Sequence, residues 1–344
     1  KDGQLWMLIR TSQDHHYQSF SNDGGETWSE ATPSPFYGTI TMPTIGRLKD
    51  GRLLFLWSNT TPLPEVNNTT GVWDDVFTNR NAMHAAISSD DGKSWQGFRE
   101  IYLDPRRNAE DFGTTPGIDK SVHQSQFIEL DPEEVLVSLG QHPLHRVMLR
   151  FNVDWLYENE SYCNFSDDLD QWSVFSYYKG IVGHCGYNRT PGCSLEDGKL
   201  LVKYIEDDTL LTSVRGAVWN FPAFHKGRLS FSIKYNDLNS EGELFLNDRW
   251  FNPTDTVAGY FAPFSLSLNP KKLKIRDTEF HLIEIEWDLK KRKPTAVVYV
   301  DKKKRMTLPL SNESQHGISY LHFLSDRVNG DKGYLIKWVK AERL

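Results

Sequence analysis

Long apolar runs are absent from this chain of 344 residues. No stretch reaches the roughly 18 consecutive apolar residues that a membrane-spanning helix needs, so no membrane span is expected. Cysteine is scarce. Cys163, Cys185 and Cys193 are the only three, and they fall within one short segment. Their spacing matches no metal site, while one disulfide plus a free thiol and three reduced thiols both stay open. An excess of positive charge is missing too: 39 Lys and Arg stand against 46 Asp and Glu, a net charge of -7. That balance argues against a nucleic-acid partner. The basic run Lys302–Arg305 follows a strand-like segment and reads as a solvated hairpin turn. Helical periodicity is not sustained over ten residues anywhere.

What the chain has instead is β-structure. Short apolar or alternating runs such as LWMLIR, RLLFLW, MHAAIS, SQFIEL, EVLVSL and RVMLRF are bounded by Gly, Asp, Asn or Pro. KDGR (49–52) and SDDGK (89–93) read as hairpin turns with Gly where positive φ is needed. With 38% hydrophobic and 25% charged residues the composition is that of a soluble globular protein, and the 13% aromatic share suits an all-β carbohydrate-active one. The length suffices for two domains. Near Trp155 the texture turns polar and turn-rich, so the boundary is set at 156/157. Beyond it GRLSFSIKY, GELFLND, HLIEIEWDL, TAVVYVD, YLHFLS and YLIKWVKAE alternate with period two, as strands with one buried face do. Their number suggests a two-sheet β-sandwich, and their order resembles a concanavalin- or laminin-G-like jelly roll.

One octet occurs twice. SNDGGETW (21–28) returns 67 positions later as SSDDGKSW (88–95), both fitting S-x-D-x-G-x-[ST]-W. Ser21 and Asp23 can bond nearby backbone N–H groups, Gly25 supplies a permissive backbone, and the indole of Trp28 can pack over the turn. The acidic residue then stabilises a hairpin; metal binding by Asp23 or Asp90 is the alternative.

This octet is the Asp-box, and residues 1 to about 156 resemble the sialidase superfamily of Asp-box (BNR-repeat) β-propellers. The expected fold is therefore the C-terminal part of such a propeller (1–156) followed by a β-sandwich (157–344). In sialidases an arginine precedes a box by roughly ten residues. Arg10 and Arg80 stand at that distance, and the resemblance makes them the second and third members of the family's arginine triad. Paired guanidinium donors select a carboxylate and stay charged at every relevant pH. Solvent exposure, or pairing with a neighbouring acid, is the bland alternative for each.

The family's catalytic tyrosine lies in a segment matched here by KSVHQSQFIEL (120–130), which puts His123 in its place. A neutral imidazole, like a tyrosine, avoids repulsion by the substrate carboxylate. It can act as nucleophile, general base or donor; a satisfied strand-end histidine is the other reading. Gln124, His142, His84 and Arg146 are the further candidates for lining the pocket, with Gln141 and His145 beside them in GQHPLHR. Three histidines could hold zinc, but no ligand spacing supports it. In the second domain Tyr187, Arg189, Trp219, Arg249 and Trp250 either contact sugar or belong to core and turns.

The family's first arginine, its acid/base aspartate and its assisting glutamate precede the second arginine, and the start KDGQLWML reads as the middle of a strand pair. An upstream segment, in the same gene product or a separate chain, is expected to supply them. The resemblance implies a secreted or periplasmic exo-glycosidase that needs no cofactor and releases a terminal acidic sugar, either sialic acid or a related 2-keto-3-deoxy sugar acid. A lectin-like acidic-sugar-binding propeller and a propeller polysaccharide lyase with a histidine base are the alternatives.

Overall fold

The computed structural model describes residues 3–11, 13–38, 40–60, 80, 82–110, 122–131, 133–140, 146–166, 168–179 and 189–344. These residues are all-β: antiparallel sheets joined by turns and a few single-turn helices. Contacts divide the chain into two compact units. The first is drawn mainly from Lys1–Asp104 and Thr115–Tyr157, the second from Pro105–Thr114, Glu158–Ile181 and Tyr187–Leu344.

The first unit holds three sheets in chain order. The first contains β1 (Leu5–Ile9), β2 (His15–Ser21) and β3 (Thr32–Tyr37). The second contains β4 (Thr44–Arg47), β5 (Leu53–Trp57), β6 (Ala82–Ser88) and β7 (Gln96–Leu103). The third contains β8 (Gln126–Asp131), β9 (Glu134–Leu139) and β10 (Val147–Asn152). Among the described residues no sheet closes on itself. β5 and β6 are buried along their whole length because the middle sheet is covered on both faces. On one face Phe55 and Trp57 meet Phe36 of β3, with ring centroids 4.5 and 5.6 Å apart. On the other face Leu54, Leu56, Met83, Ala85 and Ile87 share one apolar cluster with Val135, Val137 and Leu139 of β9.

Each octet forms the turn between equivalent strands, β2 and β3 or β6 and β7, and both use the same bonds. Ser21 Oγ accepts the Gly25 N–H at 2.9 Å and donates to Asp23 Oδ1 at 2.7 Å. Asp23 then accepts the Thr27 N–H (3.0 Å) and hydroxyl (2.5 Å), and Trp28 Nε1 donates to the Gly25 carbonyl at 3.1 Å. In the second octet Ser88 accepts from Gly92 at 2.9 Å and donates to Asp90 at 2.8 Å. Asp90 accepts the N–H (2.8 Å) and hydroxyl (2.6 Å) of Ser94, and Trp95 caps the Gly92 carbonyl at 3.0 Å. The hydroxyl and N–H of Thr27 and the hydroxyl of Ser21 hold the Asp23 carboxyl well below the usual carboxylate range. Both aspartates are thus consumed by the turn. Gly25 and Gly92 take φ of +100° and +84°, which side chains resist.

The second unit is built on two large sheets. In chain order its strands are β11 (Glu160–Cys163), β12 (Trp172–Ser173), β13 (Phe175–Tyr177), β14 (Arg189–Pro191), β15 (Ser194–Leu195), β16 (Leu200–Val202), β17 (Gly216–Phe224) and β18 (Lys226–Tyr235). They continue with β19 (Gly242–Asn247), β20 (Phe264–Ser267), β21 (His281–Asp288), β22 (Thr295–Val300), β23 (Lys303–Pro309), β24 (Ile318–Ser325) and β25 (Tyr334–Arg343). One sheet runs β15-β16-β25-β18-β21-β22-β23, with β11 also paired to β25; the other runs β12-β17-β24-β19-β20. Both feed one core, which joins Phe231, Ile285 and Val298 from the first to Trp219, Leu246 and Phe323 from the second. The burial of β21 and β22 alternates residue by residue, as one-faced strands require. Lys302 lies in a two-residue turn with Asp301, both at positive φ, and the rest of the basic run opens β23.

Ser88→Ala removes the buried hydroxyl that links Gly92 to Asp90 at the base of an otherwise exposed turn. It should lower the stability of the first unit by about 1–2 kcal/mol, read as a shift of the urea midpoint at unchanged slope.

Candidate functional site

Arg80 stands directly before β6 and is buried, with 4% exposure. Its Nη2 donates to the Ile40 carbonyl at 2.6 Å. Its own carbonyl accepts the Val122 N–H at 2.9 Å. That bond makes His123 the chain neighbour of a residue pinned to Arg80. The Val122 carbonyl is reached by Ser58 Oγ at 3.3 Å, and the His123 carbonyl accepts the Gly140 N–H at 2.8 Å. Thr44 Oγ1 closes the group on the Ser125 carbonyl at 2.5 Å. The ends of β5 and β9, the start of β6 and the segment before β8 therefore meet in one place. His123 is buried there, and the next residue, Gln124, holds φ at 54°. A side chain in this left-handed region is a strained backbone of the kind that clusters at functional sites.

His84, expected as a pocket-lining residue, is instead a backbone brace. It is fully buried, its Nδ1 accepts the Asn59 N–H at 3.0 Å, and the ring also bonds the Trp57 backbone. Burial pushes its pKa down to about 3 against the opposing pull of the Trp57 bond, so the ring is neutral. Arg10 and Arg146 each flank a strand of the first unit. Both are exposed, Arg10 just after β1 and Arg146 just before β10. Gln141, His142 and His145 lie outside the described residues.

One imidazole in this region went unread in the sequence. His16, the second letter of an unremarkable His pair, lies on β2 with no exposure. Among the described residues neither of its ring nitrogens has a hydrogen-bond partner. Burial, helped by neighbouring His15, pushes its pKa down to about 4. Leaving a buried polar group unpartnered costs about 1–3 kcal/mol. The only sequence signal was position: alternation along β2 puts His16 on the opposite face from His15, whose ring meets Tyr37 at 4.5 Å.

In the second unit the aromatic and basic candidates for sugar contact are packed inside. Trp219 belongs to the core and Trp250 is buried against Phe175, ring centroids 6.3 Å apart. Arg249 pairs with Asp248 at 2.9 Å, both nearly inaccessible. Arg189 is fully buried over the Phe175 ring at 4.0 Å and donates to the Arg107 carbonyl at 3.2 Å. Tyr187 lies outside the described residues. Cys163 and Cys193 are free thiols, and burial pushes the Cys193 thiol up to about 12. Cys185 is outside the described residues. Among the described residues no group of three or more His, Cys, Asp or Glu is arranged to hold a metal ion, and no helix is long and apolar enough to cross a membrane.

Residues 1–128 match the family model of the BNR repeat-like domain. Most of that match falls within the first unit. No curated protein matches the chain. Among solved structures it is similar to a sialidase at 15% identity and a TM-score of 0.38, covering 99% of this chain and 31% of that one. It is also similar to Trypanosoma rangeli sialidase, at 11% identity and a TM-score of 0.33, covering all of this chain and 59% of that one. Lectin I-B4 from Griffonia simplicifolia, at 10% identity and a TM-score of 0.35, matches over 54% of this chain and 99% of its own. The chain thus spans less than two thirds of either sialidase.

The buried histidines of the BNR unit set a pH dependence. Their folded pKa values, about 3 for His84 and about 4 for His16, lie below the ordinary 6.5. Their contribution to stability is fully present above pH 6.5 and is lost as the pH falls through that window toward 4 and below. Melting temperatures taken from pH 7 to pH 4 should therefore fall before the carboxylates titrate, and His16→Phe should flatten the fall.

Proposed function

We propose that this chain is part of an exo-acting glycoside hydrolase that releases a terminal acidic sugar, sialic acid or a related 2-keto-3-deoxy sugar acid. The observation that supports the reading is the backbone bond from Val122, the chain neighbour of His123, to the buried Arg80 ahead of an Asp-box strand. A guanidinium in such a place binds a carboxylate through paired, charge-assisted hydrogen bonds, and the low local dielectric strengthens them. His123 takes the place of the tyrosine that sialidases use. As a neutral imidazole it works next to the substrate carboxylate without repulsion, as nucleophile, general base or hydrogen-bond donor. Arg10, Gln124 and Arg146 are its proposed companions, as is His142. A protein acting on such glycans would be secreted or periplasmic.

The test uses the whole polypeptide, incubated with glycosides of sialic acid and of 2-keto-3-deoxy sugar acids, with released sugars identified by mass. Release of one free acid is the expected result. An unsaturated product would move the assignment to a lyase, and binding without release to a lectin. Arg80→Ala should weaken acidic-sugar binding roughly 10- to 100-fold, the worth of a charged hydrogen bond, and leave neutral sugars unaffected. Equal losses for both would sink the carboxylate role. His123→Ala should abolish turnover while sparing the fold, read by circular dichroism; an active variant would return His123 to a structural role.

A further inference from the structure

We propose that His16 is a positioning residue for Arg80, acting through Gly38 and Ile40. The His16 ring lies against Gly38 so closely that a Cβ on Gly38 would stand 2.5 Å from Nε2, 2.9 Å from Cε1 and 3.0 Å from Cδ2. Gly38 is not among the glycines at positive φ, so its backbone does not require glycine; the imidazole does. Gly38 is itself tied to β2 by its N–H, which donates to the Asp14 carbonyl at 2.9 Å. Two residues on, the Ile40 carbonyl takes the Arg80 guanidinium at 2.6 Å. Immediately ahead of Gly38, the Tyr37 carbonyl accepts Trp57 Nε1 at 3.0 Å, which anchors the same segment to the end of β5.

The ring therefore works as a wedge. Among the described residues neither nitrogen is engaged, so the shape of the ring and not its hydrogen bonding sets where Gly38 lies. The Ile40 carbonyl is one of the groups that aim the guanidinium, through a short bond. A displacement of Ile40 by a fraction of an ångström re-aims Arg80, which stays buried and charged throughout. The consequence for sugar binding rests on the carboxylate role of Arg80 proposed above; the positional claim does not.

The experiment is a mutant cycle on the whole chain: Gly38→Ala, His16→Ala, the double variant and His16→Phe. The first readout is the ¹⁵N–¹H signal of the Arg80 side chain, assigned by its loss in Arg80→Ala. The second is affinity for free sialic acid. Gly38→Ala should move the Arg80 signal and weaken binding roughly tenfold or more, as misplaced site groups do. In the His16→Ala background the added methyl has room, so Gly38→Ala should there be nearly silent, within about threefold in affinity. His16→Phe keeps the wedge and should keep both readouts. An Arg80 signal that stays put in Gly38→Ala, equal effects in both backgrounds, or a His16→Phe variant as perturbed as His16→Ala would each overturn the proposal. If the signals behave as expected but Arg80→Ala still binds sialic acid normally, the carboxylate reading fails and the positioning claim stands.

Discussion

The first unit depends on a carboxylate spent inside a turn. Asp23 and Asp90 each accept from the backbone and hydroxyl of the Thr or Ser four residues on, while the preceding serine ties the carboxylate to a glycine N–H. These bonds close the β2–β3 and β6–β7 hairpins and so set their register. Register decides faces. A one-residue slip of β6 would turn Met83, Ala85 and Ile87 away from Val135 and Val137 and put His84 among them. At the far end of the same strand stands Arg80, so the turn at one end determines which groups the other end presents.

The site is made of polar groups that the core has taken in at a cost. Arg80 is buried with its guanidinium on a main-chain carbonyl, and His84 stays neutral by serving the backbone at Asn59 and Trp57. His16 is neutral with no hydrogen-bond partner among the described residues. Such groups destabilise a core unless neighbours fix them, and the all-round burial of β5 and β6 supplies the rigid frame. Gln124, held at positive φ beside His123, adds local strain to that frame.

The second unit follows a different logic. Its two sheets share one apolar core, and its conspicuous arginines are internal. Arg249 neutralises Asp248, and Arg189 lies on Phe175 and donates to a main-chain carbonyl. A buried guanidinium with these partners orders the loops around it and is not available to a sugar.

The amino-acid sequence by itself determined the all-β character, the hairpin turns and the paired octets, because these rest on local physics. Period-two alternation and side chains that bond a backbone two to four residues away need no distant partner. It also marked Arg80 and His123, through their spacing from the octets and from each other along a familiar frame. Only the tertiary structure decided which candidates meet. Alternation tells which face a residue occupies but not what lies across from it. The bond from Val122 to Arg80 therefore had no local signal, nor did the wedge of His16 on Gly38. The burial of Trp219, Trp250, Arg189 and Arg249 was undecidable for the same reason: an aromatic or basic residue in a polar loop looks alike whether the loop faces solvent or folds back over a sheet.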